Sequence, residues 1–208
     1  MRILSLFTSL VLATSAFAQT PAPPAAAKLP AVRVQVGVGT SQKRMGNSSY
    51  RKEMTISPKA TVEGASRLTP LPAMEATMLI VTMDTRAKYV AGQEAYSIHT
   101  RETKSLPEVP NGNARPIVFE ESSVNFDSYR DASNVGGAVY KYFVFGLTDP
   151  ATKAIIDFQT NNPQLAALCK AHPEKREEFL GLNQRAKFPT SFNSTLLFRH
   201  RLYFGISV

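Results

Sequence analysis

The chain has 208 residues, of which 43% are hydrophobic and 19% are charged, and its formal net charge at pH 7 is +8. This composition excludes a disordered chain and predicts one domain with a hydrophobic core. The single cysteine, Cys169, excludes an internal disulfide, so core packing must hold the domain together. We expect Cys169 itself to be a small buried hydrophobic residue.

The N-terminus has the three parts of a cleavable export signal. A basic residue, Arg2, precedes the apolar run 3–13, and small residues follow at Ala16 and Ala18. The run is too short to cross a bilayer, which takes about 20 apolar residues. The pattern predicts a signal peptide over residues 1–18 and a mature chain that begins at Gln19, exported to the periplasm, the outer cell surface or the medium. Loss of Arg2 lowers the formal net charge from +8 to +7.

Residues 19–30 read QTPAPPAAAKLP and have no hydrophobic periodicity. This composition is typical of a semi-rigid spacer, with a flexible terminus as the alternative. We expect a single β-sandwich domain over residues 31–208. No later apolar run is long enough for a membrane helix, so we predict no transmembrane segment in the mature chain.

Apolar and polar residues alternate with a period of two along much of this domain, which predicts half-buried strands. Residues 74–83 are apolar on both faces, which is typical of a central strand. The candidate strands are Val32–Val38, Tyr50–Ile56, Met74–Met83, Tyr96–Arg101, Pro116–Phe119, Val124–Phe126, Tyr140–Leu147, Ala154–Phe158 and Thr195–Ser207.

Helical signals interrupt the strands after residue 160. Asn162 is a favourable N-cap, with Pro163 at the first helical position, and Leu165 and Cys169 share one face. We predict one or two short helices that cover an end or edge of the sheet before the C-terminal strand. About eight short strands separated by turns indicate a mainly β protein, and we expect an immunoglobulin-like β-sandwich.

The motifs of common enzyme classes are not found in the sequence. It contains no Gly-x-Ser-x-Gly, His-Glu-x-x-His, phosphate-loop or calcium-loop pattern. Adjacent carboxylates such as Glu120 and Glu121 occur often by chance, and the three histidines are scattered. We therefore predict no enzymatic activity, no catalytic residue, no cofactor and no metal site. The histidines are His99, His172 and His200.

Basic residues form the most distinctive pattern. One group surrounds a predicted turn, and another alternates with the apolar face of the predicted last strand. An exported basic protein meets anionic partners such as acidic glycans, lipopolysaccharide or a neighbouring subunit, whereas nucleic acid has no supporting motif. The alternative is a charged surface that only keeps the protein soluble. The candidate anion-binding residues are Lys43, Arg44, Arg51, Lys52, Arg199, Arg201 and Tyr203.

Three stretches carry a resemblance to a known group of proteins: Ala16-Phe17-Ala18, QTPAPPAAAK, and KYFVFGLTDPATKAIIDFQTNNPQLAAL from Lys141 to Leu168. In plan and length the chain resembles verrucomicrobial secreted proteins associated with a type IV pilus locus. The resemblance implies an immunoglobulin-like fold similar to archaeal-type pilins and a non-enzymatic role at the surface or a pilus. The chain departs from true pilins because it has no prepilin cleavage site before a long assembly helix.

Two functions are the leading hypotheses, and a glycan-active enzyme, which needs two carboxylates converging in a cleft, is a third. The first is an exported non-catalytic module that makes protein–protein or adhesive contacts at the cell surface, with surface proteins, pilus proteins or acidic glycans as partners. The second is a periplasmic carrier that holds a small apolar ligand inside the sandwich.

Overall fold

The computed structural model describes residues 29–128 and 136–190. This part of the chain forms strands and short helices, mostly strands, so the protein is mainly β. In chain order the elements are β1 (Val32–Arg44), β2 (Arg51–Gly64), β3 (Met74–Asp84), α1 (Thr85–Tyr89), β4 (Tyr96–Leu106), β5 (Arg115–Val118), β6 (Ser122–Asp127), β7 (Ala138–Thr148), β8 (Ile155–Thr160), α2 (Pro163–Ala171), α3 (Lys175–Leu180) and β9 (Lys187–Phe188).

The strands form two antiparallel sheets. In the first sheet β2 is central, with β1 along one side and β5 and β6 one after the other along the opposite side. The second sheet has the order β8-β7-β3-β4-β9. Buried side chains from both sheets form one hydrophobic cluster. This arrangement is compatible with a β-sandwich.

The strand β3 is buried on both faces, as its sequence predicts. Even-numbered residues such as Met78 and Ile80 belong to the cluster shared with the first sheet. Odd-numbered residues such as Leu79 and Val81 belong to a second cluster on the opposite face. A strand with this double burial must be apolar at nearly every position, because alternation would place polar groups in one of the two cores.

The helices α2 and α3 cover the outer face of the second sheet, whereas we expected them at an end or edge. Leu165 and Cys169 of α2, with Phe179 of α3, lie in the second cluster together with β3, β4 and β7 residues. The predicted N-cap is confirmed, because Asn162 Oδ1 accepts hydrogen bonds from two backbone N–H groups of the first turn, at 3.0 and 3.1 Å. The protein therefore has three layers: the first sheet, the second sheet, which contains β3, and the helices α2 and α3.

The strand β2 contains a proline, Pro58, although proline is rare in central strands because it donates no backbone hydrogen bond. Its carbonyl accepts from the N–H of Phe119 at 3.1 Å, so this side of Pro58 faces the β5–β6 connection. There, residues 119–121 lie opposite only residues 57–58 of β2. The missing donor thus falls at a bulge in the segment between β5 and β6, where the hydrogen-bond ladder is already interrupted.

Several sequence predictions lie outside the described residues: the signal peptide 1–18, nearly all of the spacer 19–30, and the strand Thr195–Ser207. The short elements α1 and β9 were not predicted, and β1, β2 and β4 are longer than their alternating cores. None of the helices in the two described ranges has the length and apolar character needed to cross a bilayer.

Candidate functional site

The end of the β1–β2 hairpin is the most exposed part of the first sheet. All six residues from Gly39 to Arg44 are exposed, while Met54 and Ile56 on the paired strand β2 are buried. The difference arises because β2 lies between β1 and β6 at this end, whereas among the described strands β1 pairs with β2 alone. In the part of the chain that the structure describes, the outer half of β1 is therefore a free strand edge.

Backbone hydrogen bonds fix which residues of β1 face this edge. Ala65 donates to the carbonyl of Ala31 at 2.9 Å, and Met45 donates to the carbonyl of Arg51 at 3.0 Å. These bonds flank β1 at odd-numbered positions, and the register between them is unbroken. Hydrogen-bonding direction alternates along an antiparallel strand. The backbone N–H and C=O groups of odd-numbered β1 residues therefore bond to β2, whereas those of even-numbered residues point away from β2, toward the strand edge.

Two of the four predicted basic residues on the hairpin are neutralised by carboxylates opposite them. Lys43 faces Glu53 across the β1–β2 pair, with Nζ 3.2 Å from Oε2. Arg51 faces Asp127 across the β2–β6 pair, with Nε 4.0 Å from Oδ1. All four side chains belong to odd-numbered positions, so they share the outer face of the sheet.

The other two basic residues, Arg44 and Lys52, lie opposite each other on the other face of the hairpin. They form a non-hydrogen-bonded pair, the type that brings side chains closest, and like charges in this position repel. Within residues 29–128 and 136–190, neither has a carboxylate within the 4.0 Å of a salt bridge. Arg44 is exposed and Lys52 is half-buried. We call Arg44 and Lys52 the basic pair.

The hairpin thus brings together four of the seven predicted site residues and divides them between two faces. The remaining three, Arg199, Arg201 and Tyr203, lie outside the described residues. Sequence reasoning did not identify the neutralising carboxylates. The alternation of β2 could have placed Glu53 on the face of Lys43, but Asp127 is distant in the sequence and needs the β2–β6 pairing.

A pocket of ≈ 270 Å³ lies beside the ion pair of Arg51 and Asp127 and is also lined by Gly136 and Gly137. Gly137 has a φ of +84°, and a Cβ there would collide with the carbonyl of Asn125, so only glycine fits this approach of β7 to β6. Gly137 therefore has a packing role where the chain enters β7.

A larger pocket of ≈ 730 Å³ opens between the β7–β8 hairpin and the end of α3. Three of its four charged side chains bond within the protein: Lys153 Nζ lies 3.1 Å from Glu75 Oε2, and Arg101 Nε donates to the carbonyl of Leu180 at 3.4 Å. Both signs of charge line it, so it presents no selective field to a ligand.

Burial alters the acidity of several titratable side chains, among them His99 and Cys169. Desolvation lowers the pKa of His99, although a hydrogen bond with the Ser123 backbone opposes the shift. Burial raises the pKa of the Cys169 thiol to about 11, and the residue is 1% exposed, as expected of a packing cysteine. In the described ranges no three His, Cys, Asp or Glu residues cluster in a way that could hold a metal ion.

Comparisons with known proteins identify no family for this chain. No protein-family model matches the chain, and no curated protein matches it. One similar solved structure is described as the X-ray structure of Northeast Structural Genomics Consortium target SoR45, at 11% sequence identity. The match covers 61% of this chain and 84% of that chain with a TM-score of 0.27. A similarity of this size carries no argument about fold or function.

Proposed function

We propose that the protein is an exported, non-catalytic binding module that makes protein–protein or adhesive contacts with an anionic partner at the cell surface. The observation that carries this proposal is the basic pair. Two like charges directly opposite each other cost stability in the free protein. An anion bound between them would remove that repulsion, so the pair favours an acidic partner over a neutral one.

The distribution of charge along the hairpin supports a defined contact in place of a diffuse basic surface. Lys43 and Arg51 are neutralised on one face, so at the turn end of the hairpin the excess positive charge lies on the face of the basic pair. A surface that only serves solubility has no need of such concentration, because any exposed charge fulfils that role.

The carrier hypothesis has no comparable support. Phe145, Ile56 and Met78 are fully buried in the cluster between the sheets, where that hypothesis places an apolar ligand. The two pockets described above open to the surface between charged side chains.

The finer identity of the module remains part of this proposal. Two antiparallel sheets around a shared core are compatible with the immunoglobulin-like sandwich expected from the strand pattern. The resemblance of residues 141–168 to pilus-associated secreted proteins extends the proposal to a pilus-linked surface role, and the signal-like N-terminus supports export.

Binding to heparin and to polyglutamate tests the basic pair, because these polyanions stand for acidic glycans and acidic protein segments. We expect the double variant Arg44→Gln/Lys52→Gln to bind both more weakly than the wild type. The magnitude of the slope of log K against log salt concentration should be smaller by about one to two in the variant, since each charge contact releases condensed counterions.

The matched control is Lys59→Gln/Lys170→Gln, which removes the same charge from two exposed positions on β2 and α2. Neither control residue has an ion pair in the described parts of the chain. Equal losses in the two double variants would mean that binding follows net charge alone, and the proposal would then be wrong.

A further inference from the structure

The outer half of β1 offers backbone as well as charge to a partner. Its even-numbered residues Thr40, Gln42 and Arg44 direct N–H and C=O groups away from β2, and no other strand within residues 29–128 and 136–190 pairs with them. Six exposed residues extend over about 20 Å at the usual rise of a strand. This length is sufficient for a short extended segment to add as a further strand.

The inner half of the same edge is already occupied. Gln159 of β8 donates through Nε2 to the carbonyl of Val34 at 2.9 Å, so the second sheet closes against β1 there. Val34 is even-numbered, and its outward carbonyl agrees with the direction deduced from the flanking bonds. Beyond this contact, the exposed part of the edge is residues 39–44, next to the basic pair.

We infer that residues 39–44 of β1 accept an extended acidic segment of a partner protein as an added strand. This inference rests on the proposed function and names the partner's chemistry and its mode of binding. Main-chain bonds to Thr40, Gln42 and Arg44 supply the strand pairing. Acidic side chains on the added strand beside Arg44 and Lys52 neutralise the basic pair.

Charge also decides against a second copy of this chain as the occupant. A second copy would bring the same excess positive charge, its own Arg44 and Lys52, to the edge, and charged side chains commonly protect edge strands from such self-pairing. An acidic strand turns this repulsion into attraction. The same residues therefore discourage self-association and select the partner.

The inference is tested with a fluorescein-labelled ten-residue peptide of alternating threonine and glutamate, measured by fluorescence anisotropy. A second peptide has the same sequence with every other amide nitrogen methylated, which keeps the charge and removes donors. We expect the methylated peptide to bind about tenfold more weakly, the effect of losing one or two main-chain hydrogen bonds. Equal affinity for the two peptides would overturn the inference.

A variant of the protein tests the same bonds from the other side. Gln42→Pro removes one outward N–H and leaves the odd-numbered bonds to β2 in place, and proline is tolerated on edge strands. We expect weaker binding of the unmethylated peptide, with heparin binding unchanged. The matched control Gln42→Thr keeps the N–H and should bind as the wild type, and equal thermal unfolding would confirm that both variants fold.

The two proposals fail in different ways. Heparin binding that does not depend on Arg44 and Lys52 contradicts the proposed function. Heparin binding that does depend on them, together with a peptide affinity indifferent to methylation and to Gln42→Pro, contradicts only the added strand. A wild-type dimer in sedimentation that Gln42→Pro abolishes would identify a second copy as the occupant and also overturn the inference.

Discussion

Lys43 and Arg44 are neighbours in the sequence, yet their side chains lie on opposite faces of β1 and have different electrostatic surroundings. Lys43 meets Glu53, whereas Arg44 meets Lys52. An exposed ion pair contributes at most about 1 kcal/mol to stability, so Lys43 gains little from its partner. The important consequence is that it loses its availability to an anion while Arg44 retains it.

His99 supplies a prediction at the same scale. Burial lowers its pKa in the folded protein below the ordinary value of 6.5. Between these two pKa values the unfolded chain binds more protons, so the free energy of unfolding rises with pH in that range. The contribution of His99 to the free energy of unfolding is therefore complete above about pH 6.5 and is lost as the pH drops through the folded-state pKa of His99. We expect His99→Gln to reduce this loss, measured by urea unfolding between pH 5 and 8.

The control for this prediction is His172→Gln, since His172 is exposed after α2 and lies 3.2 Å from Glu174. If the His172 variant loses as much of the pH dependence as the His99 variant, burial of His99 is not its source.

At the level of elements, the outer face of the second sheet shows how a helix is positioned by a missing side chain. Leu180 at the end of α3 is 8% exposed and packs on Gly146 of β7. A Cβ at position 146 would collide with both terminal carbons of Leu180. Glycine is unfavourable within a strand in general, but here it provides the space in which α3 lies.

We therefore expect Gly146→Ala to destabilise the protein by about 1–3 kcal/mol, as overpacking does in a closed core. The matched control is Gly37→Ala in β1, where the nearest atom to a new Cβ is Lys59 Cε at 3.9 Å. That change should be neutral or slightly stabilising, because alanine restricts the unfolded chain more than glycine. Urea unfolding measures both variants, and a Gly146 variant as stable as the control would contradict the packing of α3 on this residue.

At the scale of the whole molecule, layering explains why the domain needs no disulfide. The double burial of β3 places one hydrophobic cluster between the sheets and another beneath the helices. Cys169 lies in the second cluster, where burial suppresses its acidity. Packing on both faces of β3 therefore stabilises the domain in place of the internal cross-link that a single cysteine cannot form.

Export itself is a prediction at this scale. Expression of the full chain in a bacterial host should yield a protein whose N-terminal residue is Gln19. Replacing Ala16 and Ala18 with glutamate removes the small residues that signal peptidase requires, and the unprocessed chain should remain cell-associated. Edman sequencing or intact mass distinguishes the two forms, and a wild-type chain that retains Arg2 would contradict the signal peptide.

The sequence by itself determined the local features of this protein. Alternation predicted most strands, continuous apolarity identified β3 as central, and Asn162 with Pro163 located the start of α2. These features depend on neighbouring residues, so short windows contain them. The basic character of the β1–β2 turn was also visible, because four of its residues are close together in the chain.

Only the tertiary structure decided which of those charges are free. The neutralisation of Arg51 depends on Asp127, 76 positions later, which reaches it through the pairing of β2 with β6. The free edge of β1 likewise depends on which strands pair elsewhere, and the position of α3 depends on a glycine in another element. Pairing between distant strands is set by packing of the whole core, and for that reason the basic pair emerged only from the fold.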